Sequence, residues 1–198
     1  MIRFIHSFQI VIMIIVLAIS FFITYDFFIT HISFKNELFL ISSIVIMVVA
    51  AIKYMLKLQF YFFVQNRVKQ AEIKELINKE GKKRILVYES LVWLFLLTTS
   101  LFQIKLFGIN HSVTIAFLFA FGVDVFFWIV FNKKFKNIVF NGQIFLFNSR
   151  PDIVSLKNIK TATKRYNDYY FNYTDGKHKL LKSDLIKEKI DEKVNASF

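Results

Sequence analysis

The chain has 198 residues, of which 56% are apolar and 18% aromatic, and it contains 26 Phe, 5 Gly, 1 Pro and no Cys. This composition excludes a disordered chain, a collagen-like fibre and a disulfide-stapled secreted module. The formal net charge of +12 comes from 26 basic and 14 acidic residues, and the position of these charges along the chain matters more than their sum.

Four long apolar runs predict four transmembrane helices. The first, at about residues 5–27, can cross about 30 Å of hydrocarbon at about 1.5 Å per residue. Arg3 and the small residues Ala18 and Ser20 are also typical of a signal peptide, but the run continues apolar beyond any cleavage point there, which favours a retained helix. The other spans are predicted at residues 37–57, 85–104 and 107–132, the last two as a tight helical hairpin.

The basic residues predict the orientation of these spans. The loop before span two contains only Lys35 and the loop before span four only Lys105, whereas the stretch from Lys53 to Arg84 contains nine basic residues. These are Lys53, Lys57, Arg67, Lys69, Lys74, Lys79, Lys82, Lys83 and Arg84. Because basic flanks resist translocation, we expect a multi-pass protein of the bacterial cytoplasmic membrane with both termini inside. Lys53 and Lys57 are expected to extend their ammonium groups to the lipid headgroups.

The segment between spans two and three, residues 58–84, is predicted to be a cytosolic helical loop. Val64, Val68 and Ala71 recur near helical spacing, and Gly81 is expected to end the helix in a left-handed conformation. An alternative is that residues 60–64 lie flat at the headgroups. A positively charged loop that only sets topology is favoured over a lipid or partner site.

From Asn137 the long apolar runs give way to short segments separated by turn residues. Residues 138–140 and 143–147 predict a hairpin closed by a type I′ turn, because Asn141-Gly142 accepts positive φ at both positions. A middle strand is predicted after the break at Pro151.

A second hairpin is predicted at residues 169–173 and 177–181, which makes about five strands. If Asp175-Gly176 is a two-residue loop, Phe171 faces Leu180. Ser183 is expected to cap a short final helix.

The order of the segments VFNGQIFLFN, PDIVSLKNIK and DYYFNYTDGKHKLLKS resembles that of bacterial PH-like domains attached to small multi-span membrane proteins. In that family a hairpin precedes a Leu-x-x-Ile segment, here Leu156 and Ile159, and a later hairpin turns at Asp-Gly, here Asp175-Gly176. The resemblance covers about a third of the chain. It implies an all-α membrane domain at residues 1–135 followed by a small cytosolic antiparallel β-rich PH-like domain with a C-terminal helix at residues 136–198.

Ionisable residues within the predicted spans are candidates for function. Glu89 and Asp124 lie roughly 7 and 13 Å from the flanking basic residues by helical rise, and Lys53 lies near the same level. We expect a Lys53–Asp124 or a Lys53–Glu89 pair. A clamp between helices, or a neutral carboxyl group, is favoured over a proton or cation path, because a relay usually has more than two membrane acids.

Polar residues gather at the outer ends of spans three and four: Thr98, Thr99, Ser100, Gln103, Asn110, His111, Ser112 and Thr114. Hydrogen bonds between helices explain them, and a water-filled vestibule is the alternative. His31 and His111 fall in outer loops, but no third ligand has suitable spacing, so we predict neither a metal site nor a cofactor.

The stretch KRYNDYYFNYTDGKHK is the candidate binding surface of the C-terminal part, and no catalytic motif is found in the chain. Its candidate residues are Lys164, Arg165, Tyr166, Tyr169, Lys177 and Lys179. A stacking surface for RNA or a nucleotide is one interpretation, but strand alternation already explains the aromatic residues as one face of a small core.

The sequence therefore favours a non-enzymatic binding or scaffold subunit. Its basic cytosolic face would meet anionic lipid headgroups or a partner protein, and its membrane part would offer a surface for homo-oligomers. The alternatives are an oligomeric membrane effector or channel gated at the cytosolic domain, and a transporter or lipid-modifying membrane enzyme.

Overall fold

The computed structural model describes residues 2–24, 35–166 and 168–196. Four of its helices are long and apolar enough to cross a membrane, by length and composition. They are α1 (Ile2–Thr24), α2 (Lys35–Val68), α3 (Lys79–Phe107) and α4 (Ser112–Phe131). The four predicted helices are thus confirmed as helices, although residues 25–27 of the first predicted span lie outside the described residues.

The chain divides into two compact units that do not follow chain order. One unit is Met1–Lys57 with Glu89–Val130, and the other is Leu58–Tyr88 with Phe131–Phe198. We call them the helical unit and the β unit.

The helical unit has an apolar core to which each of its four helices contributes. Met13 of α1, Ile46 of α2, Leu96 of α3 and Phe117 of α4 are all at most 1% exposed. A short turn joins α3 to α4, as predicted. Gly108 ends α3 at a φ of 84°, and its N–H donates to the carbonyl of Ile104, which is the usual left-handed end of a helix.

The β unit contains seven strands among the described residues, arranged in two antiparallel sheets. The first sheet has the order β1–β2–β3–β4 and the second the order β5–β6–β7. The strands are β1 (Ile73–Leu76), β2 (Lys136–Phe140), β3 (Gln143–Phe147), β4 (Asp152–Ser155), β5 (Ile159–Arg165), β6 (Asp168–Tyr173) and β7 (His178–Leu181), and helix α5 (Glu188–Asn195) follows them.

Helix α5 completes the core of this unit. Ile190 and Val194, one turn apart, are fully buried and pack in one cluster with Tyr169, Phe171 and residues of both sheets. An amphipathic helix at the end of the chain therefore covers apolar surface that the two sheets leave open.

The predicted hairpin at Asn141-Gly142 is confirmed. Asn141 has a φ of 51° and Gly142 a φ of 69°, and Phe140 pairs with Gln143 across a two-residue loop. Positive φ at both central positions matches the twist of the flanking strands.

The helix predicted across residues 58–84 is interrupted in the structure. Helix α2 ends at Val68, and Ile73–Leu76 form β1, which pairs antiparallel with β2. The side chains of β1 alternate between half-buried and exposed, so pairing with the open edge of β2 outweighs the weak helical periodicity of this segment.

Gly81 does not end a helix, contrary to the prediction. It lies in the first turn of α3, where a Cβ atom would meet the backbone carbonyl of Asp184. Glycine is needed here because another backbone segment approaches closely, and not because of a left-handed φ.

Seven strands are present where about five were predicted. One extra strand is β1, and the other arises because Asn158, with a φ of 59°, separates β4 from β5 and lets the chain move from one sheet to the other. The predicted second hairpin exists, but its register differs, since Phe171 pairs with Lys179 and not with Leu180. A three-residue loop ending in Gly176 replaces the expected two-residue loop.

Ser183 was predicted to cap the final helix, and this is wrong. Ser183–Leu185 form a separate 3-10 turn, and α5 begins at Glu188 after Lys187. The Ser183 N–H instead donates to Asp168 Oδ1 at 3.0 Å.

Candidate functional site

A buried charged cluster in the helical unit brings together ionisable side chains that are far apart in sequence. Lys53 Nζ of α2 donates to Asp124 Oδ2 of α4 at 2.5 Å, and Lys57 Nζ lies 3.6 Å from Asp124 Oδ1. All three side chains are at most 5% exposed. One buried carboxylate thus pairs with two buried ammonium groups.

Helices α1 and α3 also contribute to this charged cluster. Glu89 of α3 is 3% exposed and lies close enough to Lys53 to interact with its charge, and His6 of α1 interacts electrostatically with Asp124. With two lysines and two acids the formal charges cancel, and each of the four helices supplies a member. Compensated buried charges of this kind hold helices in one arrangement.

Of the two pairs proposed from the sequence, the structure contains Lys53–Asp124. The expectation that Lys53 and Lys57 extend their ammonium groups to the lipid headgroups is contradicted, because both side chains are buried beside Asp124. The Lys57 ammonium also lies 4.8 Å from the centre of the Phe127 ring, where the π electrons attract a cation. The i,i+4 spacing of the two lysines was a signal that they share one helix face with one partner.

Contrary to the prediction, the polar side chains at the other end of the helical unit form no hydrogen bonds between helices within the described part of the chain. Thr98, Thr99 and Ser100 donate their hydroxyl hydrogens to backbone carbonyls of their own helix, three or four residues earlier. His111 stacks on Phe107, with ring centres 4.5 Å apart. His31 lies outside the described residues, so the structure does not test a site shared with His111.

The six candidate residues of the β unit separate into three groups. Lys164, Arg165 and Tyr166 lie at the turn between β5 and β6, Lys177 lies beyond the other end of β6, and Lys179 lies in β7 opposite Phe171. Because β6 has six residues, roughly 20 Å separates the two ends. The sixth residue, Tyr169, belongs to the core.

Tyr169 connects the second sheet to α5 through its hydroxyl group. The ring is fully buried, and the hydroxyl donates to Asp191 Oδ1 at 2.5 Å and accepts a hydrogen bond from Lys164 Nζ at 3.0 Å. Burial raises the pKa of Tyr169 above its ordinary value, and the bond to the Tyr169 hydroxyl raises the pKa of Lys164. Tyr169 therefore positions α5 and is not available for stacking on a ligand.

Lys177 and Lys179 each have an acidic partner. Lys177 Nζ lies 2.6 Å from Asp175 Oδ2, and this hydrogen bond lowers the pKa of Asp175 and raises that of Lys177. Lys179 Nζ lies 2.6 Å from Asp152 Oδ1, which links β7 to β4 of the other sheet. Their charges are thus largely compensated within the β unit.

The turn between β5 and β6 is different, because its charge and its aromatic ring face solvent. Tyr166 is 99% exposed and has a φ of 50°, an uncommon conformation for a bulky residue. Arg165 beside it is exposed, and its side chain forms no hydrogen bond or ion pair with the described residues. We call Arg165 and Tyr166 the basic turn.

No protein-family model, curated protein or solved structure matches this chain. Within residues 2–24, 35–166 and 168–196, no group of three His, Cys, Asp or Glu side chains is placed to hold a metal ion.

Proposed function

We propose that this protein is a four-span protein of the bacterial cytoplasmic membrane that acts as a non-enzymatic binding or scaffold subunit. Support comes from four helices of sufficient length and apolarity and from the concentration of basic residues between α2 and α3 and after α4. These charges favour an orientation with both termini in the cytoplasm. The burial of Met13 and Val16 against other helices supports the retention of α1 in the mature protein.

The β unit is proposed to be a PH-like binding module on the cytoplasmic side. A four-stranded and a three-stranded antiparallel sheet followed by a helix that covers their core support this comparison. A PH-like barrel needs about seven strands, and the described residues supply seven because β1 comes from the segment between α2 and α3.

The basic turn is the proposed binding surface, and anionic lipid headgroups are the proposed partner. The observation that carries this proposal is the exposure of Tyr166 beside Arg165, a cation whose side chain has no acidic partner among the described residues. Tyrosine prefers the boundary between water and lipid, and each basic residue near an anionic membrane contributes about 1 kcal/mol.

A fluorescent label at position 166 of the full-length protein tests this proposal. The chain contains no Cys, so Tyr166→Cys provides a single labelling site, and Thr174→Cys at the other end of β6 provides the matched control. In nanodiscs that contain phosphatidylglycerol, we expect the label at 166 to emit at shorter wavelength than in phosphatidylcholine alone, and Arg165→Gln to reduce this difference. Equal emission in both lipids would contradict headgroup binding and would favour a protein partner.

A second candidate function, an ion or proton path, rests on the convergence of titratable groups from four helices in the charged cluster. Proton or cation flux into vesicles that contain the protein tests it. If ions or protons pass through the charged cluster, the Glu89→Gln variant should show a changed flux. If the cluster only holds the helices together, vesicles with and without the protein should be equally impermeable.

A further inference from the structure

A layer of uncharged polar side chains crosses the core of the helical unit at the end opposite the charged cluster. Four of its members have no exposed surface, and each comes from a different helix: Ser20, Ser43, Gln103 and Thr114. We call these four residues the polar layer. Apolar residues would pack this position at no cost in hydrogen bonds, so the polar layer needs an explanation.

Ring contacts place three of these residues at one level. Phe39 of α2 contacts Phe107 of α3 at 5.0 Å and His111, just before α4, at 5.2 Å between ring centres. Ser43, Gln103 and Thr114 each lie about one helical turn from this ring cluster, which is roughly 4.5–6 Å of rise.

The fourth residue reaches the same level through α1. Phe21 contacts Phe102 of α3 with ring centres 6.4 Å apart, and Ser20 and Gln103 are their immediate neighbours in sequence. All four helices therefore bring one polar residue to this level of the core.

Most of the polar atoms in this layer lack a hydrogen-bond partner among the described residues. They are Ser20 Oγ, Gln103 Oε1, Gln103 Nε2 and Thr114 Oγ1. Ser43 differs, because its hydroxyl donates to the carbonyl of Phe39 at 2.6 Å. Buried polar groups are normally bonded to protein or to ordered water, so these four atoms indicate an occupant.

We propose that the polar layer is a hydrated site that binds ordered water inside the helical unit. Hydroxyl and amide groups can both donate and accept, as water requires. No acidic residue lies within one turn of any of the four, so the layer offers no carboxylate for a cation. The proposal rests on the helical unit alone and is independent of the binding function of the β unit.

An apolar layer separates this water from the charged cluster. Met13 lies seven residues from both His6 and Ser20, and Leu96 lies seven residues from both Glu89 and Gln103. Both side chains are at most 1% exposed. These two apolar residues thus lie about 10 Å along their helices from either end, and the buried polar residues Gln9 and Ser100 lie one turn from them on the two sides.

The direction in which the unfolding temperature changes in a Thr114 variant tests whether water occupies the polar layer. Thr114→Val keeps the shape and removes the hydroxyl group. If water is bound, thermal unfolding of the full-length protein in nanodiscs occurs roughly 2–6 °C lower, because one or two hydrogen bonds are lost. A dry layer would give an unchanged or higher unfolding temperature, because an unpaired hydroxyl has been removed, and that result overturns the proposal.

Two controls make the result specific. Ser43→Ala removes a hydroxyl that is already bonded within its own helix, so we expect a smaller shift than for Thr114→Val or Ser20→Ala. Replacing sodium chloride with choline chloride should leave the unfolding temperature of the dialysed wild-type protein unchanged. A fall in choline chloride would mean that a cation occupies the layer and would overturn the assignment of water.

Discussion

At the scale of single residues, the most consequential side chain is Asp124. Its Oδ2 atom accepts a hydrogen bond from Lys53 Nζ at 2.5 Å, and its Oδ1 atom lies 3.6 Å from Lys57 Nζ. All three side chains are at most 5% exposed. Removing one member of a buried ion pair leaves an uncompensated charge, whereas replacing all members with apolar residues of similar size is often neutral. The charged cluster therefore makes the fold sensitive to single substitutions, and its effect on sensitivity is larger than its contribution to stability.

Asp124→Asn is expected to lower the free energy of unfolding by about 3–5 kcal/mol, because two buried ammonium groups lose the carboxylate that lies 2.5 and 3.6 Å from them. The quadruple variant Lys53→Met, Lys57→Met, Glu89→Met, Asp124→Leu should recover most of this loss. Thermal unfolding in detergent measures both, with exposed Glu37→Gln as the control. If Asp124→Asn unfolds like the wild type, the charged cluster does not hold the helices together.

Tyr169→Phe is expected to lower the free energy of unfolding by about 1–2 kcal/mol, because Asp191 and Lys164 lose their bonds to the hydroxyl group. Burial raises the pKa of Tyr169, so its stabilising contribution is complete below about pH 10 and is lost as the pH rises through the raised pKa. The difference between wild type and Tyr169→Phe in thermal unfolding should therefore shrink in alkaline buffer. Tyr170→Phe, which changes a partly exposed ring, is the control.

At the scale of helices and strands, the sequence predicts best where one physical factor dominates. Apolar runs of this length are typical of long helices, and Asn141-Gly142 selects its turn by positive φ. Strand β1 could not be predicted, because its four residues become a strand only beside the edge of β2, some 60 residues later. The burial of Lys57 could not be predicted either, because it depends on Asp124, which is distant in sequence. The polar layer depends on how the four helices pack, and no local sequence pattern indicates that packing.

Gly81→Ala is expected to destabilise the β unit by about 1–3 kcal/mol, because the added methyl group meets the backbone of Asp184 and not a flexible side chain. Gly122→Ala is a matched control within a helix, since no atom lies within 4 Å of its added Cβ. Thermal unfolding should show a loss for the first variant and none for the second. Equal behaviour would mean that Asp184 can move away at little cost.

At the scale of the whole molecule, each compact unit is built from segments that alternate along the chain. Residues 58–88 connect two helices of the helical unit, yet they contain the strand that completes the first sheet of the β unit. The C-terminal part that begins after α4 is therefore incomplete without this connection, and the boundary between the units is crossed three times by the chain.

Replacing residues 72–77 of the full-length protein with a Gly/Ser segment of equal length should expose the edge of β2. Backbone amides of β2 and β3 are then expected to exchange with deuterium at least tenfold faster, while those of α4 keep their protection. Hydrogen exchange with mass spectrometry measures both in one experiment. An equal replacement of residues 174–176 is the control, and unchanged protection of β2 would mean that β1 adds no stability.

The pairing of β1 with β2 also sets an order of events during synthesis. About 60 residues, including all of α3 and α4, must leave the ribosome after β1 before its partner strand exists. At about 5–20 residues per second, this strand waits for roughly 3–12 s with its hydrogen-bonding edge open. For this interval the nascent chain carries an unpaired segment beside two helices that are still being synthesised, and a chaperone would have its best opportunity to bind there.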